Sequence, residues 1–269
     1  MGRGRALGLY LDCNMDVGLY RRKFCNLVSW FFRKKTTRKL DGYVMQRYAI
    51  FDLDETITTR STWGRFVSEA VVGNPIKLVG LWLQAGVAQL IYKFGRAERI
   101  FVKRGMLRWS LSGQPRDRLE VLANRFAEKE ADVGVRPGAL RQIEKHQLAG
   151  DRVVIASAGA DIIVNAIAAR LKIEHVVCTE LAWENGLCKR NFGSSNCYAD
   201  GKLKMLKKCL ETFDDFRREA AHITMYSDSH SDLPCFEYAD VGIAVNADMK
   251  LRRAAKVYGL ATVDWSKLE

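Results

Sequence analysis

Short apolar runs that alternate with helical stretches restrict the fold of this chain more than any other feature of its sequence. Each run has the length and the residue types of a buried strand. Strands that alternate with helices, such as the helix predicted over Asp161 to Leu171, indicate an α/β fold with a doubly wound parallel sheet. The predicted strands are residues 48–51, 152–156, 175–178 (expected at an edge), 222–226 and 241–245.

One long stretch, residues 59–150, interrupts this alternation. It is mostly of helical type, with breaks at Pro75 and Pro115. We interpret it as a helical cap that is inserted after the first strand. The core of the fold then consists of residues 45–58 and 151–269.

The most apolar segment of the predicted cap is residues 76–94. Its apolar part, from Leu78 to Tyr92, is shorter than the ~20 residues that a membrane-spanning helix needs. We therefore do not expect it to cross a membrane. A buried cap helix is the first interpretation of this segment, and an interfacial helix that touches lipid is the second.

The leading residues 1–44 form a basic tail. The chain has a formal net charge of +12, and ten Lys or Arg against three Asp in the tail supply +7 of it. Such a tail is attracted to an anionic surface, either lipid or nucleic acid. Three interpretations stay open: a helix over residues 17–39 on an anionic membrane, a helix packed on the protein body, or a true start at Met45 instead of Met1. Apolar residues recur in the tail at helical spacing: Val17, Tyr20, Phe24, Leu27, Val28 and Phe31.

The cysteines indicate a reducing compartment. Their number is odd, seven, and the sequence has neither a C-x-x-C pair nor a recognisable cleavable signal peptide. We expect free thiols and a cytoplasmic protein, with peripheral contact at the inner face of the membrane as a further expectation. Cys188 and Cys197 lack the second pair of ligands that a zinc site requires, so no cysteine metal site is predicted.

Two pairs of carboxylates follow predicted strands. Asp52 and Asp54 come directly after the first strand, and Asp228 and Asp232 follow the strand at 222–226. The carboxyl ends of parallel strands meet at one edge of a sheet, which is where ligands of such folds bind. Carboxylate oxygens are the ligands that Mg²⁺ prefers, and Mg²⁺ in turn binds phosphate oxygens. The two pairs together therefore predict a magnesium site for phosphoryl transfer.

Phosphoryl transfer also needs hydrogen-bond donors and a cation around the phosphate oxygens. Ser157 follows the second strand, and the backbone around Gly159 leads into a helix whose N-terminus favours an anion. Lys202 lies at the start of another predicted helix, where it offers a fixed positive charge. These two residues complete the candidate site.

Four motifs occur in a fixed order: FDLDETIT at 51–58, VVIASA at 153–158, the region of Lys202, and YSDSHSDLP at 226–234. They resemble the four motifs of the haloacid dehalogenase (HAD) superfamily, and the resemblance extends from about residue 46 to the C-terminus. A helical cap between the first two motifs resembles subfamily IB, which includes the phosphoserine phosphatases. The resemblance implies a Rossmann-like core and a Mg²⁺-dependent phosphatase that acts through an aspartyl phosphate.

The resemblance also implies a role for each candidate residue. Asp52 is then the nucleophile and Asp54 the general acid and base. Ser157 donates a hydrogen bond to the phosphoryl group, and Lys202 neutralises it. The implied ligands of Mg²⁺ are Asp52, the main-chain carbonyl of Asp54, and Asp228, with Asp232 supporting the site.

The substrate is predicted from departures from the phosphoserine phosphatases. They have acidic residues shortly after the first motif, whereas this chain has none before Glu69, and Ala158 stands where they have glycine. The apolar cap segment and the basic tail favour a membrane lipid phosphate such as phosphatidylglycerophosphate. A soluble metabolite is the alternative substrate.

A nucleic-acid or anionic-surface binding protein is the alternative of another class. We do not expect nucleic-acid binding, since no known binding module is recognisable.

Overall fold

The structure, a computed structural model, describes residues 45–95 and 98–266. Six strands of this part of the chain form one parallel sheet in the order β3-β2-β1-β6-β7-β8, and β4 and β5 form an antiparallel hairpin. The strands are β1 (Gln46–Phe51), β2 (Arg152–Ala160), β3 (His175–Thr179), β4 (Leu181–Glu184), β5 (Leu187–Phe192), β6 (Ala221–Ser227), β7 (Val241–Val245) and β8 (Ala261–Val263).

Helices cover both faces of the parallel sheet. Alternate residues of β1 point to opposite faces, so that Phe51 lies in one buried apolar cluster and Ile50 in the other. The helices described are α1 (Thr62–Glu69), α2 (Pro75–Lys93), α3 (Arg99–Ser110), α4 (Arg116–Lys129), α5 (Pro137–Leu148), α6 (Asp161–Arg170), α7 (Asp200–Leu210), α8 (Leu233–Tyr238) and α9 (Met249–Tyr258). Side chains of α5 and α6 join the first cluster, and those of α7 and α8 join the second.

The predicted fold class is confirmed, and the five predicted strands correspond to β1, β2, β3, β6 and β7. The edge position expected for β3 is also confirmed. The hairpin β4–β5 and the strand β8 were not predicted. Neither carries a strong apolar signal, because β8 is short and exposed and most of β5 faces solvent.

The region predicted as a cap contains α1 to α5. Within it α2 packs against α3, whereas α4 packs against α6 and α5 lies along β2. The last two helices of the region therefore touch elements of the predicted core directly. The division into a core and a cap at residues 58 and 150 stays a prediction.

The prediction that residues 76–94 are buried is wrong for most of their apolar side chains. The segment is helical, as α2, but its fully buried residues are Leu81, Ala85 and Ala88. Only one side of the helix is covered, and α3 lies against that side. Among the residues that the structure describes, every helix is too short or too polar to cross a membrane.

The predictions for residues 1–44, including the helix at 17–39, lie outside the described residues. The cysteines that the structure does describe are all free thiols. Within the same residues no group of three His, Cys, Asp or Glu side chains is close enough to hold a metal by itself, and this includes Cys188 and Cys197.

A buried polar network supports the sheet directly beneath the carboxyl ends of β1 and β6. The rings of Phe51 and Tyr226 stack with their centroids 4.5 Å apart. The Tyr226 hydroxyl lies 2.9 Å from His146 Nε2 and accepts a hydrogen bond of 2.8 Å from Gln142. His146 Nδ1 in turn lies 2.7 Å from the Asp151 carboxylate. The network ties α5 to the two strands whose ends carry the predicted acidic pairs.

Replacing Tyr226 by phenylalanine keeps the ring stack and removes the hydroxyl. We expect Y226F to lower the free energy of unfolding by about 1–3 kcal/mol, because the buried His146 and the half-buried Gln142 each lose a hydrogen-bond partner. Denaturant unfolding measures the change. The matched control is Y258F at an exposed tyrosine, which should leave stability unchanged. Equal stability of Y226F and the unsubstituted protein would show that the network contributes little.

Candidate active site

The register of the sheet brings the ends of β1 and β6 to one level. Phe51 pairs with Tyr226 of β6 and with Ile155 of β2. The chain leaves the sheet directly after Phe51 and after Ser227, whereas β2 continues to Ala160. The N–H of Asp52 still donates to the Tyr226 carbonyl at 2.9 Å, which fixes the backbone of Asp52 against β6. The chain then turns back over Leu53–Ile57, where Glu55 takes a positive φ of 62°. This turn places Thr56 beside the strand ends.

Lys202 lies between two carboxylates at this edge. Its Nζ donates to Asp52 Oδ1 and to Asp232 Oδ2, each at 2.7 Å. All three side chains are nearly inaccessible, with 3% exposure for Lys202, 9% for Asp52 and 1% for Asp232. Lys202 reaches this position because it occupies the buried face of α7, in line with Leu206 and Leu210. The Ser227 hydroxyl also donates to Asp232 Oδ2, at 2.7 Å.

Asp228 joins this group through Thr56. The Thr56 hydroxyl donates to Asp228 Oδ1 at 3.0 Å and lies 3.4 Å from Asp52 Oδ2, while it accepts from the Asp228 N–H at 2.9 Å. One hydroxyl therefore lies within hydrogen-bond distance of both carboxylates. The acidic residues that follow β1 and β6 share one site.

The site concentrates negative charge in a buried place. Burial raises the pKa of Asp52 well above its ordinary value, the Lys202 cation lowers it, and the carboxylates of Asp232 and Asp228 raise it further. Burial also raises the pKa of Asp228 to about 7, against the opposing effect of the Thr56 hydrogen bond. Burial alone would lower the pKa of Lys202, but Asp232 and Asp52 outweigh it, so the pKa lies well above its ordinary value. Lys202 is therefore a fixed cation.

The Asp54 side chain turns away from Lys202, towards the start of α1. Its Oδ1 accepts from the N–H of Thr62 at 2.8 Å and from the Thr62 hydroxyl at 2.7 Å. Two hydrogen-bond donors of Thr62 therefore hold the Asp54 carboxylate at the N-terminus of α1. This places Asp52 and Asp54 in different surroundings, although they are one residue apart.

The last residues of β2 bring Ser157 and a second lysine together. Ser157 is buried, and its Oγ accepts from the Gly159 N–H at 3.0 Å. Lys103 of α3 donates to the neighbouring Ala158 carbonyl, and its Nζ lies 5.0 Å from the ring centroid of Phe192. The end of β2 thus carries a buried hydroxyl and contacts a largely buried cation from α3.

The donor set fits Mg²⁺. Two carboxylates, those of Asp52 and Asp232, contact Lys202, and Thr56 links the carboxylate of Asp228 to that of Asp52. One lysine thus accompanies three acidic groups, and a further cation would complement them. Asp232 Oδ1 is buried and has no hydrogen-bond partner among the described residues. Mg²⁺ usually takes one or two protein carboxylates and completes its octahedron with water and phosphate oxygens. Asp52 and Asp228 supply such a pair, and no third carboxylate is needed.

The structure thus brings Asp52, Lys202 and Asp232 into direct contact, adds Asp228 through Thr56, and turns the Asp54 side chain to Thr62. Ser157 was predicted to follow the second strand, but it lies inside β2, shortly after Ile155, the partner of Phe51. Two residues of the site were not singled out from the sequence, Thr56 and Lys103. Thr56 lies inside the first motif, shortly after β1, so its position in the sequence could have identified it as a site residue. Lys103 is remote in sequence from the motifs, and only the packing of α3 brings it to the site.

The chain belongs to the haloacid dehalogenase-like hydrolase family, which it matches over residues 49–237, more than half of its length. The resemblance inferred from the four motifs is thereby confirmed, and with it the prediction of an enzyme of the phosphatase class. The match spans the turn after β1, the end of β2, Lys202 and the acidic pair after β6.

Individual proteins similar to this chain agree with that assignment. A probable phosphatase of Mycobacterium tuberculosis is 28% identical over 226 residues, which are 81% of this chain and 75% of that protein. The crystal structure of a Bordetella pertussis protein of unknown function has the same fold, with a TM-score of 0.73, 19% identity and coverage of 82% of this chain and 99% of that one. A probable phosphoserine phosphatase from Vibrio cholerae gives a TM-score of 0.59 at 16% identity, over 82% of this chain and 61% of that one.

Removing one carboxylate should stabilise the protein in the absence of metal. We expect D228N to raise the free energy of unfolding by about 1–2 kcal/mol at a pH well above 7, because the unsubstituted carboxylate is then ionised beside two others. The same variant should gain less stability from added Mg²⁺. Thermal unfolding with and without Mg²⁺ measures both effects.

The matched control is D214N, at an exposed aspartate away from the site, which should respond to Mg²⁺ as the unsubstituted protein does. A D228N variant that is less stable without metal and gains as much from Mg²⁺ would contradict the expectation.

Proposed function

We propose that this enzyme is a Mg²⁺-dependent phosphomonoester hydrolase that uses Asp52 as a nucleophile and passes through an aspartyl phosphate. The observation that supports this most is the buried contact of Lys202 with Asp52 and Asp232 at the carboxyl edge of the sheet. A nucleophilic carboxylate must meet a phosphate that carries the same sign of charge. A fixed cation beside that carboxylate lowers the repulsion between them.

In the first step an oxygen of Asp52 attacks phosphorus in line, and the bond from phosphorus to the ester oxygen breaks. Asp54 donates a proton to the leaving oxygen, so that the alcohol departs neutral. The hydrogen bonds from Thr62 orient the Asp54 carboxyl for this transfer. Ser157 and Lys202 donate to the phosphoryl oxygens as charge spreads over them.

In the second step Asp54, now ionised, takes a proton from water, and the hydroxide oxygen attacks phosphorus. The bond from phosphorus to Asp52 breaks, inorganic phosphate leaves, and the Asp52 carboxylate is restored. Mg²⁺, when bound, supplies positive charge that neutralises the phosphate oxygens. We assign its binding to Asp52, the main-chain carbonyl of Asp54, and Asp228, with Asp232 acting through its contact with Lys202.

We further propose a membrane lipid phosphate, such as phosphatidylglycerophosphate, as the substrate. A cavity of about 450 Å³ lies beside the N-terminal end of α7, where Tyr198 and Gly201 line it. Tyr92, at the end of the apolar helix α2, lines the same cavity, so an acyl-bearing substrate there would extend towards α2. Lys103 adds a second cation near Ser157, which favours a substrate with more than one negative group. Residues 17–39 are proposed to add peripheral contact with an anionic membrane.

A soluble metabolite is the second candidate substrate, and the shared fold with a probable phosphoserine phosphatase favours it.

Turnover should depend on the Asp52 carboxylate. We expect D52N to lower kcat by at least about a thousandfold, because an amide cannot form the acyl phosphate. Release of phosphate from a generic phosphomonoester in the presence of Mg²⁺ measures the loss, and circular dichroism checks that the fold is retained. D132N, at an exposed aspartate, is the matched control and should stay active. An active D52N variant would refute the proposed nucleophile.

Substrate class should be visible in a phosphate-release screen. We expect activity on lipid phosphates in mixed micelles to exceed activity on soluble phosphomonoesters, and we expect chelation of Mg²⁺ to abolish both. The kcat/KM values of phosphatidylglycerophosphate and phosphoserine give the comparison. A higher value for phosphoserine would favour the metabolite, and activity that survives chelation would argue against Mg²⁺.

A further inference from the structure

An apolar stripe runs along the whole outer side of α2. Its members recur at intervals of three and four residues, so they share one face of the helix, and each is more than half exposed. The most exposed are Ile76 at 82%, Phe94 at 77% and Leu83 at 67%. From its first to its last residue the stripe is about 27 Å long at 1.5 Å per residue. We define the α2 stripe as Ile76, Val79, Leu83, Val87, Leu90 and Phe94.

The opposite side of α2 is already in use. Leu81, Ala85 and Ala88 are buried, and the helix packs against α3. Two glycines allow the close approach: a Cβ at Gly80 would lie 2.8 Å from the Trp109 ring, and Gln84 lies against Gly105. The helix is therefore held in place from its inner side, and the stripe is not needed to attach it to the protein. A contiguous exposed apolar surface of this kind marks a contact site.

The charges around the stripe indicate what it contacts. No acidic residue occurs between Glu69 and Glu98, whereas Lys77 and Lys93 stand near the two ends of the helix. Both lysines are exposed. An apolar face with cations at its borders complements a surface with an acyl interior and anionic head groups.

We propose that the α2 stripe docks on an anionic lipid surface, with the helix lying in the plane of the interface. The apolar side chains enter the boundary between head groups and acyl chains, and Lys77 and Lys93 contact the lipid phosphates. A second copy of the chain is a poorer partner, because two stripes side by side would bring their lysines together in either orientation. Docking on lipid does not require the proposed catalytic roles, so the two proposals can be tested independently.

Vesicle co-sedimentation of the full chain tests the docking. We expect binding to vesicles of phosphatidylcholine and phosphatidylglycerol, and weaker binding to phosphatidylcholine alone. The double variant L83S/V87S should lower the partition coefficient by about tenfold or more, because two apolar side chains no longer enter the lipid. The matched control L148S/V257S alters two apolar residues that are each 82% exposed on other helices, and it should bind as the unsubstituted protein does.

Three results would overturn the proposal. One is equal vesicle binding by L83S/V87S and the unsubstituted protein. Another is a change of oligomeric state in L83S/V87S, seen by light scattering, with unchanged vesicle binding, which would assign the stripe to a second copy. The third is a lower melting temperature of L83S/V87S with unchanged vesicle binding, which would mean that the chain itself covers the stripe. The D52N protein should still bind the mixed vesicles, because the stripe does not take part in catalysis. A failure of the catalytic proposal would therefore leave the vesicle result unchanged.

Discussion

The ion pairs of Lys202 with Asp52 and Asp232 are the interaction on which the rest of the site depends. One buried ammonium group contacts two carboxylates, one from the segment after β1 and one from the segment after β6. Thr56 connects a third carboxylate, that of Asp228, to this group. Burying so many ionisable groups is unfavourable unless each charge finds a partner. The sheet makes the arrangement possible, because its register brings the ends of β1 and β6 to one level and α7 directs its lysine between them.

The site illustrates how strongly neighbouring residues can differ in their surroundings. Asp52 is buried beside a cation, whereas Asp54 accepts two hydrogen bonds from Thr62 at the start of α1. In the proposed mechanism Asp52 is the nucleophile and Asp54 the general acid and base. The two carboxyl groups then need different protonation states at the same pH, and different surroundings provide them. The turn over Leu53–Ile57 achieves the separation within a few residues, with Glu55 in a left-handed conformation.

Much of this could be predicted from the sequence, since apolar runs that end in acidic residues give both the strands and the edge where they meet. Lys202 was predicted because it belongs to an ordered set of motifs. The exposure of α2 could not be predicted, because a helix that is apolar on all sides does not reveal which side is covered. Lys103 was missed for a related reason: its place near Ala158 depends on how α3 packs. The hairpin β4–β5 has too little apolar periodicity to be recognised.

Gly80 has a consequence for how far α2 stands out from the protein. The hydrogen on its Cα faces the indole of Trp109, and even a methyl group there would collide with the rigid ring. The absence of a side chain at Gly80 therefore allows α2 to pack closely on α3. With alanine at position 80, the helix would have to rise or the indole would have to rotate. If α2 docks on lipid as proposed, this one position sets how deeply the protein enters the lipid layer, without any change in the residues assigned to phosphate binding.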